Sequence, residues 1–206
     1  MGFLLISEWT AEKIVGAPLV SLDDDSSFHF ELHVWLIIRT VPDERWLTCI
    51  IRDKSPYPRS DRCEEELISG GGGLCISMAR SSGIVSSFSI PVTADCIDAV
   101  SEADFLFKEQ NVIGTLPVFD CSPWIGQGDN PFATRAFRAP IHTTFLKAQQ
   151  GLMFRWDGKT ASEVSWYAID EKMLIAVDSV HELAGFAVLD LPLAIVDKVL
   201  LINSGR

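Results

Sequence analysis

The sequence predicts an α+β fold, built mainly from an antiparallel β-sheet of hairpins, with a central helix over about 94–110 and a C-terminal helix over about 191–202. Three observations carry that expectation. One segment alternates apolar and polar residues with a period of two. Several strand-like runs are separated by turn residues. Two segments carry helical spacing or helix-start chemistry.

The alternating segment is Phe28 to Val41. Phe28, Phe30, Leu32, Val34, Leu36 and Ile38 interleave with His29, Glu31, His33, Trp35, Ile37 and Arg39. This marks a strand with one buried face. Pro42, Asp43 and Glu44 supply turn chemistry, so Trp46 to Arg52 reads as the returning strand of a first hairpin. Lys54 to Arg62 holds Pro56 and Pro58 and reads as a loop. Asp61 to Ile68 reads as a short helix ended by Gly70. Leu74 to Ala79 and Ile84 to Ile90 make a second hairpin around Ser81-Ser82-Gly83.

Thr93 is placed to cap the central helix, with Asp95 in its first turn. Ile97, Val100, Ala103, Leu106 and Phe107 recur at helical spacing, leaving Asp98, Glu102 and Glu109 on an acidic side. Val112 to Phe119 reads as an edge strand because of Pro117. Gly151 to Trp156 and Ala161 to Ile169 read as a third hairpin about Asp157-Gly158, a pair suited to a tight turn. Met173 to Val177 adds a strand through Asp170-Glu171. Asp190 is placed to cap the last helix, with Pro192 in its first turn. No internal repeat is visible. The chain reads as a single domain over 1–206, with 120–131 as the one candidate subdivision.

Composition bounds the function classes. The chain has 206 residues, 48% of them hydrophobic and 22% charged, which suits a packed core rather than disorder. Its apolar runs fall short of the ~20 residues a membrane-spanning helix needs. The N-terminal Phe3-Leu4-Leu5-Ile6 lacks a basic start and is interrupted by Glu8 and Glu12, unlike a secretion signal. Five cysteines, Cys49, Cys63, Cys75, Cys96 and Cys121, include no C-x-x-C pair. That argues against a disulfide framework or a zinc ribbon and points to the cytoplasm.

The formal net charge is −11, and it is distributed in blocks. Residues 1–38 and 63–129 are acidic, whereas 39–62 and the run Arg135, Arg138, Lys147, Arg155 and Lys159 are basic. Overall negative charge disfavours nucleic acid, whose binding relies on cations displacing counterions. It favours a basic protein partner or, as the alternative reading, serves only to keep the chain soluble.

Candidate sites divide by chemistry. His29, Glu31 and His33 recur every second residue on one strand, so two of them are close enough to share a metal, but the histidines are ~13 Å apart. No metal or other cofactor is expected. Gly70 to Gly73 precedes a strand, where a phosphate cradle would follow one and open a helix. Gly126-Gln127-Gly128 runs into Asp129-Asn130-Pro131 and loses the dinucleotide pattern. No G-x-S-x-G elbow occurs. Cys121, followed by Ser122, Pro123 and Trp124, is a candidate exposed thiol, with His142 or His181 as its base.

Partner-binding candidates are the acidic groups Asp23, Asp24, Asp25, Glu64, Glu65, Glu66, Asp98 and Glu102, together with Trp124. A tryptophan in a loop with few apolar neighbours can anchor an interface. The expectation is a protein-binding inhibitor of immunity type that neutralises a basic toxin or nuclease by occluding its surface. The alternatives are a small enzyme or metal-binding domain around His29, Glu31, His33 and Arg39 or around Cys121, and a ligand-binding scaffold using Tyr57, Phe132 and Phe137 among the arginines.

Overall fold

The computed structural model describes residues 3–10, 19–21, 29–33, 46–52, 73–79, 83–91, 97–101, 115–124, 132–139, 141–156, 164–169 and 171–204. The chain is mostly β-sheet, closed by a C-terminal helix. The strands are β1 (Leu5–Thr10), β2 (Leu19–Ser21), β3 (His29–His33), β4 (Trp46–Arg52), β5 (Gly73–Ala79), β6 (Val85–Pro91) and β7 (Ile97–Ser101). There follow β8 (Thr115–Phe119), β9 (Phe132–Arg138), β10 (Ile141–Leu146), β11 (Gly151–Trp156), β12 (Val164–Ala168), β13 (Met173–Asp178) and β14 (Leu183–Val188). Helix α1 spans Leu193–Ser204, and Ser122–Trp124 forms one 3-10 turn.

Two six-stranded sheets have the orders β2-β3-β6-β5-β4-β9 and β7-β10-β11-β14-β13-β12, and β1 pairs with β8 in a two-stranded sheet. The first five strands of one sheet, β2 to β6, and the last five of the chain, β10 to β14, follow the same path. In each, the chain-order sequence across the sheet is first, second, fifth, fourth, third, with every neighbour antiparallel. Each sheet then takes a sixth strand from elsewhere. β9 joins β4 in parallel, and β7 joins β10 in parallel. The repetition lies in the path and is invisible as sequence similarity.

This path corrects two expected hairpins in the same way. β3 and β4 are both strands, but β3 pairs with β2 and β6 while β4 pairs with β5 and β9. Likewise β11 pairs with β10 and β14, and β12 pairs with β13. In both units the second strand is followed by a crossing to the far side of the sheet, the arrangement of a Greek key. The hairpins β5–β6 and β12–β13 form as expected, and so does β8, with Pro117 in a two-stranded sheet. Strands β2, β9, β10 and β14 have no counterpart in the sequence reading.

The central helix is also corrected over the residues described. Ile97–Ser101 is the strand β7; the remainder of 94–110 lies outside the described residues, as do the short helix read over 61–68 and the turn residues Asp157 and Gly158. Ile97 and Val100 are β-branched and favour a pleated surface over a helix once a partner strand is available. The C-terminal helix stands, but Asp190 does not cap it. Asp190 lies in the left-handed region at φ 52, and its Oδ2 is 2.5 Å from Lys172 Nζ. The first turn of α1 is closed instead by Ile195 and Val196 N–H groups donating to the Pro192 carbonyl.

The core lies between the two large sheets. Phe88 of β6 stacks on Phe186 of β14, with ring centroids 4.1 Å apart and 17° between planes, and meets Phe154 of β11 edge-on at 6.4 Å. Leu74, Ile76 and Met78 of β5 join this cluster from one sheet; Trp156, Ile175, Val177 and Val188 join it from the other. A second cluster covers the opposite face of the second sheet, with Leu146, Trp166, Leu174, Ala176, Ala184, Ala187 and Leu189. β13 and β14 are therefore buried on both faces, so Met173–Val177 and Leu183–Val188 read as continuous apolar runs without alternation. Ile195 and Val196 tie α1 to the main cluster.

The β13–β14 turn is held by Asp178, whose side chain is 4% exposed. Its Oδ1 accepts hydrogen bonds from Val180 N at 2.8 Å and Glu182 N at 2.9 Å. A carboxylate satisfying two turn amides replaces the ladder bonds lost where the chain reverses. Asp178→Ala strands both donors, and we expect a loss of about 1–3 kcal/mol in a urea unfolding experiment.

Candidate functional site

The acidic and histidine groups that sequence reasoning singled out are brought together at one place among the described residues: the junction of β7 and β10. These strands run parallel, with Ile97 opposite Thr143 and Ala99 opposite Thr144. Two steps on β7 thus match one on β10, so Asp98 is the extra residue of a bulge. The backbone at a bulge loses its regular partner. Here the Asp98 side chain supplies one, with Oδ2 accepting from Thr143 N at 2.7 Å. The same oxygen lies 3.8 Å from His142 Nδ1, and both side chains are about half exposed, at 50% and 47%. That distance is too long for a hydrogen bond. The pair amounts to a screened surface contact that turns attractive when the imidazole is protonated.

Thr143, beside it, points the other way. It is 1% exposed, it shares a strand face with Ile141 and Phe145 of the main core cluster, and its Oγ1 has no hydrogen-bond partner among the described residues. A buried hydroxyl without a partner costs more than the methyl of the same shape. Thr143→Val is expected to raise stability by about 1 kcal/mol, read as a higher urea midpoint with an unchanged slope.

The basic run changes character on folding. Arg155 is 4% exposed and lies on β11 between His142 of β10 and Gly185 of β14. A Cβ on Gly185 would meet Phe154 O at 2.4 Å and Arg155 Cγ at 3.2 Å, so the glycine makes room for the arginine stem. Arg155, one of the basic run, is therefore buried and adds nothing to an exposed basic face, whereas Lys147 is exposed. Arg135 and Arg138 sit on β9, where Arg138 takes the register position opposite Arg52 of β4.

Cys121 is corrected as a candidate exposed thiol. It is buried, and its Sγ lies 3.9 Å from Met78 Sδ, the packing of a small hydrophobe. His181, one proposed base, sits at φ 63 in the β13–β14 turn, and its carbonyl accepts from Leu5 N. The neighbouring Asp120 starts the 3-10 turn. Its Oδ1 accepts from Ser122 N at 2.9 Å, and hydrogen bonding from the Ser122 side chain and then its backbone holds the carboxyl below its ordinary value. Trp124 is the last residue of that turn.

The other candidates are placed by backbone alone or not at all. His29, Glu31 and His33 occupy β3, in register with Pro91, Ser89 and Ser87 of β6. They are one step out of phase with the buried Phe88, which faces Leu32 across the ladder. Asp23, Asp24, Asp25, Arg39, Tyr57, Glu64, Glu65, Glu66 and Glu102 lie outside the described residues. No group of three or more His, Cys, Asp or Glu able to hold a metal ion occurs among the described residues. No helix among them is long and apolar enough to cross a membrane.

What sequence reasoning missed is the β7–β10 pairing itself. Asp98 was visible as an acid but was assigned to a helix face, and His142 was visible only as a distant base for Cys121. The one available signal was the β-branched Ile97 and Val100 flanking Asp98 in a short run. No protein-family model matches the chain, and no curated protein matches it.

Proposed function

We propose that the chain is a protein-binding inhibitor of immunity type, which neutralises a basic toxin or nuclease by occluding its working surface. The observation that carries this is the charge balance: 28 acidic residues against 17 basic ones, a net −11 on 206 residues. A surface of that sign accelerates encounter with a cationic partner and rejects anionic ones, including nucleic acid. The half-exposed Asp98 on an outer strand supports the same reading, since a carboxylate there is accessible to a partner's lysine or arginine.

The test is capture from the native cell at low salt. The inhibitor reading expects a strongly basic protein to be retained, to be released as salt rises, and to regain its toxic or nuclease activity on release. Retention of only neutral or acidic proteins, or of none, would contradict it. So would a retained basic enzyme whose activity the chain leaves unaltered.

A further inference from the structure

The outer side of α1 is apolar where a surface helix is ordinarily polar. Within Leu193–Ser204 only Asp197, Lys198, Asn203 and Ser204 are polar. A helix seated on a protein core normally turns a charged face to water. On α1, Ile195 and Val196 are buried and belong to the main core cluster. Leu193, Ala194, Asp197 and Leu200 are exposed, Leu193 at 66% and Leu200 at 37%. At roughly 100° per residue these four fall in one arc. Leu193 and Leu200 lie on one flank, Ala194 on the other, and Asp197 in the middle. Leu193 is also more exposed than Leu4, Val100 or Val180. The residues leading into the helix, 171–192, are all described, and they leave this arc uncovered. Exposed apolar side chains grouped on one face mark a site of contact with another molecule.

We propose that the outer face of α1 is where the chain receives its partner, and that the occupant is an amphipathic basic helix. Resting on the inhibitor reading above, this names the docking surface and the form of the occupant. Between helices, apolar side chains three, four and seven residues apart supply the contact. Leu193 and Leu200 stand at that spacing, and the small Ala194 lets a neighbour approach closely. Selectivity comes from Asp197, an exposed carboxylate set between the two leucines. A lysine or arginine among the partner's own apolar residues complements it, whereas an acid there is repelled. The same argument disfavours a second copy. Antiparallel pairing that lays Leu193 of one copy on Leu200 of the other brings the two Asp197 carboxylates together at the centre. Each copy also carries a net charge of −11, which opposes self-association. A basic helix meets both the local carboxylate and the overall charge with the opposite sign.

The experiment uses the whole chain and, as probe, a capped peptide of about 18 residues, long enough to form a helix, with a leucine stripe, lysines beside it and alanine elsewhere. The control replaces every lysine by glutamate. Leucine-methyl NMR reads where the peptide binds, and anisotropy of the labelled peptide reads how tightly. The methyl signals of Leu193 and Leu200 should shift with the lysine peptide, and the glutamate peptide should bind at least about tenfold more weakly. Leu193→Lys should weaken the lysine peptide at least about tenfold, by removing an apolar contact and adding a like charge. Asp197→Lys should weaken the lysine peptide about tenfold or more and strengthen the glutamate peptide at least about threefold. Val180→Lys, at the exposed β13–β14 turn, makes the same change as Leu193→Lys at a residue 57% exposed and should leave binding unaltered. Any of four results would overturn the proposal: no binding of the lysine peptide, methyl shifts located elsewhere, unchanged affinity in Leu193→Lys or Asp197→Lys, or concentration-dependent shifts of Leu193 and Leu200 without peptide, which would make a second copy the occupant. A captured basic partner that binds Leu193→Lys as tightly as the unaltered chain would remove the α1 site and leave the inhibitor reading standing. Peptide binding at α1 with no basic partner in the cell would do the reverse.

Discussion

Gly83→Ala should destabilise the chain by about 4 kcal/mol or more, enough to prevent folding of a protein of ordinary stability. Gly83 sits at φ 70, a left-handed conformation that costs a side-chain-bearing residue about 1–2 kcal/mol. The larger contribution is steric. A Cβ there would lie 2.1 Å from the Phe119 carbonyl oxygen, a backbone atom that cannot swing aside. Gly83 O also accepts from Phe119 N at 2.9 Å, and Ile84 bridges to Val118. Relieving the clash therefore means pulling the end of β8 off the turn before β6. Phe119 is buried in the main core cluster, so the strand cannot leave without opening the core. Expression yield and thermal unfolding read the effect. An alanine tolerated within about 1 kcal/mol would mean that β8 does not rest on this turn.

Phe186→Ala should cost about 3–5 kcal/mol, a fall in Tm of about 6–20 °C for a chain of this size. Phe186 is fully buried, stacked on Phe88 across the two sheets at 4.1 Å and tilted against Trp156 at 5.8 Å. Removing the ring leaves a cavity where the sheets meet, and neighbours locked into strands collapse into it only partly. The effect should be strongly coupled to Phe88: once Phe186 is alanine, a further Phe88→Ala should cost less than it does alone. Val100→Ala is the internal comparison. At 43% exposed it should change stability by no more than about 0.5 kcal/mol. Strict additivity of Phe88 and Phe186 would contradict face-to-face packing of the sheets.

Much of the strand content was legible in the sequence, and the reason is local. β5 and β6 are joined by a short turn and pair directly, so alternation and turn residues suffice to find them. The order of strands was not legible. Pairing of β3 with β6 and of β11 with β14 is decided by which apolar faces meet, and turn chemistry after β3 or β11 carries no record of it. β13 and β14 are buried on both faces. The apolar run from Met173 to Val177 marks the first, whereas Leu183–Val188, with its small Ala184, Gly185 and Ala187, carries neither alternation nor turn residues at its ends to set it apart. β7 illustrates the opposite failure. Ile97 and Val100 fit a helical stripe, but pairing with β10 wins because the bulge at Asp98 lets its carboxylate satisfy the Thr143 N–H. The net acidity of the chain was legible as a count; the location of Asp98 on β7, at one end of the second large sheet, was not. Arg155 shows that a charge block in sequence need not become a charged face, because the space beside Gly185 takes one of its members out of solvent.

The charge-based account of function is tested most directly by the affinity of the complex with the captured basic protein across an ionic-strength series, from about 0.05 to 0.5 M, where the screening length shortens severalfold. Steering by a surface of net charge −11 predicts an affinity that falls steeply with salt, carried largely by a slower association rate. An affinity and association rate that stay flat across the series would contradict it.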